Sequence, residues 1–514
     1  MKNFKKIITN EYFWFSLIIL LGIFLRLYKL DAIPPGFTGN EAWLGLDGQT
    51  IVRHGWIGIY IPGHAWGYNA LHAYISGAII KLLGSSIFST RLASAIPGII
   101  SLGGFYFLAR QFYSTKVSLV LLSLLAISRW HIHFSHLALP GIILIPLFST
   151  LTFLFLFKAF KTKKMVFFIL SGIFLGFGLN SYFFFIACFL TACIILFLRI
   201  IREKRIQKGF IIFAITVGLI IAPFAYYIIK NPTSLGGKWE ARSIFFAHNK
   251  IQLATPSQPE PTTFQILAIQ TQKTIGGYFL KGDTDEINNQ PGIPLLELPL
   301  AILFLFGISL AFKNIKKEKN YFLLIWLFLA LMMGILTESA PNAKRTLDAI
   351  NPIFLLIGTA LTFLEKGSQK KYVYFSLILI AYSLLVNYKI YFQDYAQNRN
   401  VKNRFAFEIV TMCDYFNKNK NGLPYIYFYH PTTYFNYETR RFLCPQLLGE
   451  DRSKEYGRFS LENKKKKNVS FVYTDSYKNI LPDLIKKYPS GKVSEFKDKN
   501  GNLIFGEFLV KNKQ

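Results

Sequence analysis

Long apolar runs, most of them separated by short basic connectors, recur from residue 12 to residue 392. About 20 consecutive apolar residues are needed to carry a helix across some 30 Å of hydrocarbon. On that criterion the pattern predicts spans near 12–30, 88–109, 117–134, 139–157, 165–180, 182–199, 210–229, 293–312, 320–337, 349–365 and 372–392. Two connecting segments are much longer than the rest, 31–87 and 230–292. Within the first, Asn69 to Leu83 is short for a span and carries His72 and Lys81, so it reads as an interfacial helix. Within the second, the stretch around Thr255-Pro256-Ser257-Gln258-Pro259-Glu260-Pro261 reads as an irregular flap followed by a short helix.

The periodicity changes after residue 393. A helical pattern covers Phe405 to Asn417, the runs Tyr425–Tyr429 and Val469–Tyr473 look like strands, and a second helix falls near Tyr477 to Lys487. The chain therefore reads as a polytopic α-helical membrane protein with about eleven transmembrane helices, residues 1–395, followed by a small α/β domain, residues 396–514. The run Lys464 to Lys467 inside the tail reads as a solvated loop.

Composition agrees with a bilayer protein: of 514 residues, 52% are hydrophobic and only 17% charged, too few to cover a soluble surface. The net charge of +30 is not a nucleic-acid signature, because Lys and Arg gather in short connectors such as Lys158/Lys161/Lys163/Lys164 and Arg199/Arg202/Lys204/Arg205/Lys208. Positive-inside bias places these connectors and the N-terminus in the cytoplasm, and the long segments and the tail outside. The first span runs into Arg26 and Lys29 without a small-residue cleavage site, so it is expected to remain as an anchor. Cys188 and Cys193 fall in a span and read as core residues. Cys413 and Cys444 fall in the exported tail, where pairing is allowed but spacing alone leaves it open.

Chemistry is expected on the outer face, where the long segments lie. Glu41, in Thr38-Gly39-Asn40-Glu41, has two readings: a general base for an acceptor hydroxyl, or the third residue of a capping box opened by Thr38. Asp47 would occupy another face of the same helix. Lys344 and Arg345, in an outward connector, oppose the positive-inside bias and suit a phosphate, with Glu338 and Asp348 as internal alternatives. His64, Trp66, Tyr68 and His72 form an aromatic and imidazole cluster, either interface anchors or sugar-lining residues. Arg129 and Trp130 carry the same pair of readings. His131, His133 and His136 are poorly spaced for a metal on one helix face. Asp283, Asp285 and Glu286 form an acidic run, read as a solvated turn or a divalent-cation site.

The strings Pro34-Pro35-Gly36, Asn40-Glu41-Ala42 and Gly45-Leu46-Asp47, then Lys81-Leu82-Leu83-Gly84 with Arg91-Leu92 and Pro97, then Trp130-His131-Ile132-His133-Phe134-Ser135, and Ala340-Pro341-Asn342-Ala343-Lys344-Arg345 occur in this order. Together they resemble the protein O-mannosyltransferase-like membrane glycosyltransferases, which include the lipid A aminoarabinose transferases, over roughly residues 10–395. The resemblance implies a C-type glycosyltransferase fold with interfacial helices in the first outer loop. It implies inverting transfer of a sugar, mannose or another hexose, from a polyprenyl-phosphate carrier to a protein, lipid or cell-envelope glycan. Arg345 matches the family's phosphate-binding Arg. The family's Asp-Glu pair, whose Asp is regarded as the base, aligns with Asn40-Glu41, so an amide stands in place of the acid. Tyr68 falls near a phosphate-binding Lys of the aminoarabinose branch, and His136 where related chains often carry Arg.

The expected site is therefore Glu41, Asp47 and Asn40 for catalysis, Arg345 and Lys344 for donor phosphate, and His64, Trp66, Tyr68 and Arg129 lining the substrate, with no metal or other cofactor required. The expected partners are the lipid-linked sugar, its acceptor and membrane lipids. Two competing readings are a non-catalytic relative that binds a lipid carrier or partner, and a transporter, against which the lack of an inverted repeat argues.

Overall fold

The computed structural model describes residues 10–63, 67–234, 242–246, 262–419, 422–454, 468–499 and 501–511. The expected flap at Thr255–Pro261 and the Lys464–Lys467 run lie outside the described residues.

Among the described residues seven helices are long and apolar enough to cross a membrane: Ile87–Ala109, Leu144–Thr162, Phe183–Arg202, Gln207–Lys230, Glu318–Ile335, Leu347–Gly367 and Gln369–Tyr395. Thr115–Ile127 and Arg129–His136 make an eighth when taken together, bent by 51°. The three other expected spans coincide with Glu11–Leu27, Met165–Leu179 and Leu298–Lys313, of 17, 15 and 16 residues. At 1.5 Å per residue these rise about 23–26 Å, less than the hydrocarbon thickness. Eleven apolar helices thus stand at the eleven expected places, but only seven or eight are long enough to span.

The shortening has local causes. The first helix stops at Leu27 because Lys29 adopts a left-handed conformation (φ 52). The span expected from 139 is displaced rather than shortened: it starts at Leu144 and runs 19 residues to Thr162, since Pro140 and Gly141 (φ 78) break the run. Between the first and second of these apolar helices lie two shorter ones, Gly39–His54 and Leu71–Leu83, packed against each other and joined through the two-stranded β1–β2 ribbon, Tyr60–Ile61 and Tyr68–Asn69.

The C-terminal unit is built around a five-stranded sheet, β4-β3-β5-β7-β6. Its strands β3 (Tyr425–Tyr429), β4 (Gly449–Asp451) and β5 (Val469–Tyr473) run parallel, and the hairpin β6 (Lys492–Lys497) and β7 (Leu503–Val510) joins β5 antiparallel. Period-two alternation divides β3 between the two faces. Ile426 and Phe428 pack with helix Phe407–Lys418 on one face, and Tyr427 and Tyr429 pack with Ile480 and Leu484 on the other. Cys413 and Cys444 are bonded, with Cα atoms 5.4 Å apart, which ties helix Phe407–Lys418 to the segment after helix Glu438–Leu443.

The segment 36–39 is seated on this unit. The Phe37 N–H donates to the Phe405 carbonyl at 2.6 Å, the Thr439 hydroxyl to the Phe37 carbonyl at 2.7 Å, and the Gly39 N–H to the Tyr437 hydroxyl at 3.1 Å. Gly36 is required there: its φ is 89, and a Cβ would lie 2.3 Å from the Phe405 oxygen.

Candidate active site

A cleft of about 560 Å³ opens between the first connecting segment, the 280–297 segment, the 337–345 connector and the helix Arg399–Arg404. Its acidic wall is Asp283 and Asp285; its basic residues are Lys344, Arg345, Arg242 and Arg404. Asn40, Trp43, Tyr68, Tyr182 and Phe184 complete much of the remaining wall.

The acidic wall is fixed by its own backbone. Gly282 passes so close to Ile293 that a Cβ would lie 1.9 Å from the Ile293 oxygen, and the Gly292 N–H donates to the Asp283 carbonyl at 3.0 Å. One Asp283 carboxylate oxygen accepts from the Asp285 N–H at 2.9 Å, the other from the Ala343 N–H at 3.0 Å. That second bond joins the acidic segment to the residue before Lys344. Burial pushes the Asp283 carboxyl up to about 6, against the lowering effect of those two N–H donors. Asp285 is more open and faces the Arg404 guanidinium at 3.7 Å.

The basic wall is equally constrained. The Arg345 N–H donates to Asn342 Oδ1 at 3.0 Å, its guanidinium donates to the Glu338 carbonyl, and it lies 5.9 Å from the Phe184 ring centre. Trp130 Nε1–H donates to the Ala343 carbonyl at 3.2 Å, holding the connector from behind. Arg242 pairs with Glu338 at 2.6 Å. The Lys344 ammonium makes no ion pair or hydrogen bond among the described residues, while its carbonyl accepts from the Leu347 N–H at 3.3 Å. Burial first, and the neighbouring Arg345 second, pull its ammonium down to about 8, while Asp285 and Asp283 oppose the fall.

The expected residues are distributed unequally around this cleft. Lys344, Arg345, Asn40 and Tyr68 line it. Asp47 stands one contact behind, accepting from the Tyr68 hydroxyl at 2.5 Å. His64 and Trp66 lie outside the described residues. Arg129 is buried away from the cleft, donating to Asn387 at 3.1 Å and to the Pro294 carbonyl, with Glu297 at 3.8 Å. Position 129 carries a basic residue at the start of a helix inside the bundle, and a buried cation is drawn to a carboxylate and carbonyls rather than to an open wall.

Glu41 does not line the cleft either. It closes the capping box with Thr38, accepting from the Thr38 N–H at 3.0 Å, and it is fully buried against an equally buried Arg91, Nε to Oε1 2.8 Å. Arg91 also donates to the carbonyls of Leu30, Pro34 and Gly36, so the pair clamps the 30–41 turn. Of the two sequence readings of Glu41, the cap is the one that forms. The adjacent position, Asn40, is the exposed one. The three bundle imidazoles each bond to protein groups: His131 to Arg26, His133 to the Ile287 carbonyl, His136 to the carbonyls of Ile33 and Leu25. Among the described residues no three His, Cys, Asp or Glu side chains are grouped to hold a metal ion.

Arg242 and Arg404 escape sequence reading, because each lies far along the chain from the other cleft residues and carries no motif. Arg91 had a signal: an Arg inside an apolar run needs a buried partner.

Two connected features, a bundle of apolar helices and a charged cleft under a small α/β unit, define the chain as a membrane protein of the C-type glycosyltransferase fold. The fold is shared with ArnT from Cupriavidus metallidurans bound to undecaprenyl phosphate, at 12% identity and TM-score 0.53 over 97% of this chain and 98% of that one. It is shared as well with the Archaeoglobus fulgidus oligosaccharyltransferase AglB in complex with an inhibitory peptide and a dolichol-phosphate, at 13% identity and TM-score 0.53 over 98% of this chain and 74% of that one. Residues 70–227 match the profile of the dolichyl-phosphate-mannose-protein mannosyltransferase family, which bears out the resemblance read from the motifs. No curated protein matches the chain in a sequence comparison.

Proposed function

We propose that the protein transfers a sugar, mannose or another hexose, from a polyprenyl-phosphate carrier to a protein, lipid or glycan acceptor, in the 560 Å³ cleft. The observation that carries this reading is the convergence of Lys344, Arg345 and Arg242 with Asp283 and Asp285 on one cavity. A leaving phosphate needs fixed positive charge where its own charge develops, and an acceptor hydroxyl needs a base nearby. Lys344 and Arg345 hold the phosphate, Lys344 as the cation without an internal partner among the described residues. Asp283 accepts the acceptor's proton as the new glycosidic bond forms and the bond from the anomeric carbon to phosphate breaks. Asn40 orients the acceptor by hydrogen bonding, and the Asp47–Tyr68 pair positions the Tyr68 side of the wall. Glu41 serves the fold through Arg91.

This assignment differs from a base in the first connecting segment, and it follows from where carboxylates line the cavity: Asp283 and Asp285 are the ones among the described residues. The undecaprenyl phosphate and dolichol-phosphate bound by the two fold relatives support a lipid-phosphate donor. For orientation, the basic connectors support a cytoplasmic N-terminus, and the Cys413–Cys444 bond supports an extracytoplasmic C-terminal unit beginning near residue 396.

The test is transfer in vesicles loaded with polyprenyl-phosphate sugar. Replacing Arg345 by Ala is expected to lower the rate about 10²-fold, the scale for loss of one charge-stabilising donor, and to weaken donor binding. Unchanged turnover in both Arg345→Ala and Asp283→Asn would overturn the assignment.

A further inference from the structure

The C-terminal sheet holds a second cavity, about 240 Å³, at the carboxyl ends of β3 and β5. Its position follows from topology. After β3 the chain leaves toward helix Glu438–Leu443 and β4; after β5 it leaves toward helix Leu481–Lys487 and the β6–β7 hairpin, on the other side of β3. The segment after β3 belongs to the core on one face of the sheet, through Phe435, Cys444 and Leu447, and the segment after β5 to the core on the opposite face, through Ile480 and Leu484. Where two adjacent parallel strands send their connections to opposite sides, a crevice opens at their carboxyl ends, and such crevices are where open α/β sheets bind ligands.

The walls are prepared for a ligand. His430, directly after β3, accepts from the Thr432 and Thr433 N–H groups at 3.2 and 3.0 Å and bonds Glu408 at 2.9 Å, which fixes that lip. Thr474, directly after β5, lines the cavity with its hydroxyl oxygen buried and lacking a hydrogen-bond partner among the described residues. Two ion pairs cross the opening, Arg399 with Asp475 and Lys402 with Asp498, each at 3.9 Å and so too long for a direct hydrogen bond.

Charge and size select the ligand class. Two cations, Arg399 and Lys402, face three carboxylates, Glu408, Asp475 and Asp498, so a phosphate or a free acid would be repelled. Each carboxylate already faces its own cation or imidazole, and no three of them gather as a metal site. What suits alternating donors and acceptors beside the Phe407 ring is an uncharged molecule with many hydroxyls, each able both to donate and to accept. The volume lies below the roughly 300 Å³ where drug-sized pockets begin, so it suits a single ring. We propose that this pocket binds a neutral sugar residue. Helix Arg399–Arg404 joins it to the first cleft, with Arg399 and Lys402 on one cavity and Arg404 on the other. Resting on the transfer reading above, the bound residue belongs to the acceptor, which is then a glycan or glycan-bearing molecule.

The experiment uses the full-length protein in detergent, titrated with glucose, galactose, mannose and N-acetylglucosamine by saturation-transfer difference NMR, with inorganic phosphate as competitor and donor turnover measured in parallel. At least one sugar is expected to bind saturably, undisplaced by phosphate. Asp475→Asn, isosteric and at the rim, is expected to weaken binding about tenfold, the loss of one charge-assisted hydrogen bond. Arg345→Ala should leave sugar binding unchanged. Absence of saturable binding by every sugar, displacement by phosphate, or equal affinity in wild type, Asp475→Asn and Lys402→Ala would each overturn the pocket. Turnover without sugar binding overturns the pocket and leaves the transfer reading; sugar binding without turnover does the reverse.

Discussion

At the scale of the residue, Glu41 takes the capping reading that its neighbourhood in the sequence offers, and Asp283, from a run that reads as a solvated turn or cation site, is the proposed base. Glu41 is sealed with Arg91, and breaking a buried pair from one side leaves an uncompensated charge at a cost of about 3–5 kcal/mol. Glu41→Gln is therefore expected to lower thermal stability sharply, and the double replacement Glu41→Gln with Arg91→Met to recover part of it. A double-mutant cycle read by thermal unfolding decides; additive effects would contradict a coupled pair. Asp283 is expected to set the pH dependence with Lys344. Its raised carboxyl gains charge as pH rises through about 6, and the Lys344 ammonium loses its charge through about 8. Both needed forms coexist between those values, so the rate should rise through about 6 and fall beyond about 8. Asp283→Asn should abolish the rising limb, and a rate profile flat from pH 5 to 9 would refute the pairing.

The element scale shows how short segments make the cleft rigid. Segment 36–39 is held by Phe405, Tyr437 and Thr439, and Gly36 is the point of closest approach. Gly36→Ala forces both a left-handed alanine and a clash with the Phe405 carbonyl, so the segment should detach from the C-terminal unit and become cleavable by protease, while Gly55→Ala, equally left-handed at φ 76 but with nothing within 4 Å of its Cβ, should not. Limited proteolysis compares them. The Cys413–Cys444 bond closes a loop of 31 residues in sequence separation. Replacing both by Ala is expected to remove about 2–4 kcal/mol from the C-terminal unit. A matching loss on reduction, seen as a lower unfolding midpoint, would check it.

Across the whole molecule, the orientation makes its own prediction: in intact spheroplasts a protease should reach a tag after residue 514 and fail to reach one in the Lys158–Lys164 connector; the opposite pattern would invert the topology. How much of this was legible in the chain depends on the range of the forces involved. Apolar runs, basic connectors, the strands Tyr425–Tyr429 and Val469–Tyr473 and the Thr38–Glu41 capping box are set by neighbours in sequence, and reading them gave the membrane class, the helix positions, the C-terminal α/β unit and Arg345 on its connector. Helix ends were less legible, since Lys29 stops one helix and Gly141 delays the start of another through single backbone conformations inside apolar runs. The partner of a charge was not legible at all. That Glu41 meets Arg91 fifty residues away, that Asp283 reaches the Ala343 N–H beside Lys344, and that Arg404 turns toward Asp285 were decided only by tertiary packing, because burial forces each charged group to find a partner and the chain does not record which one the fold brings within reach.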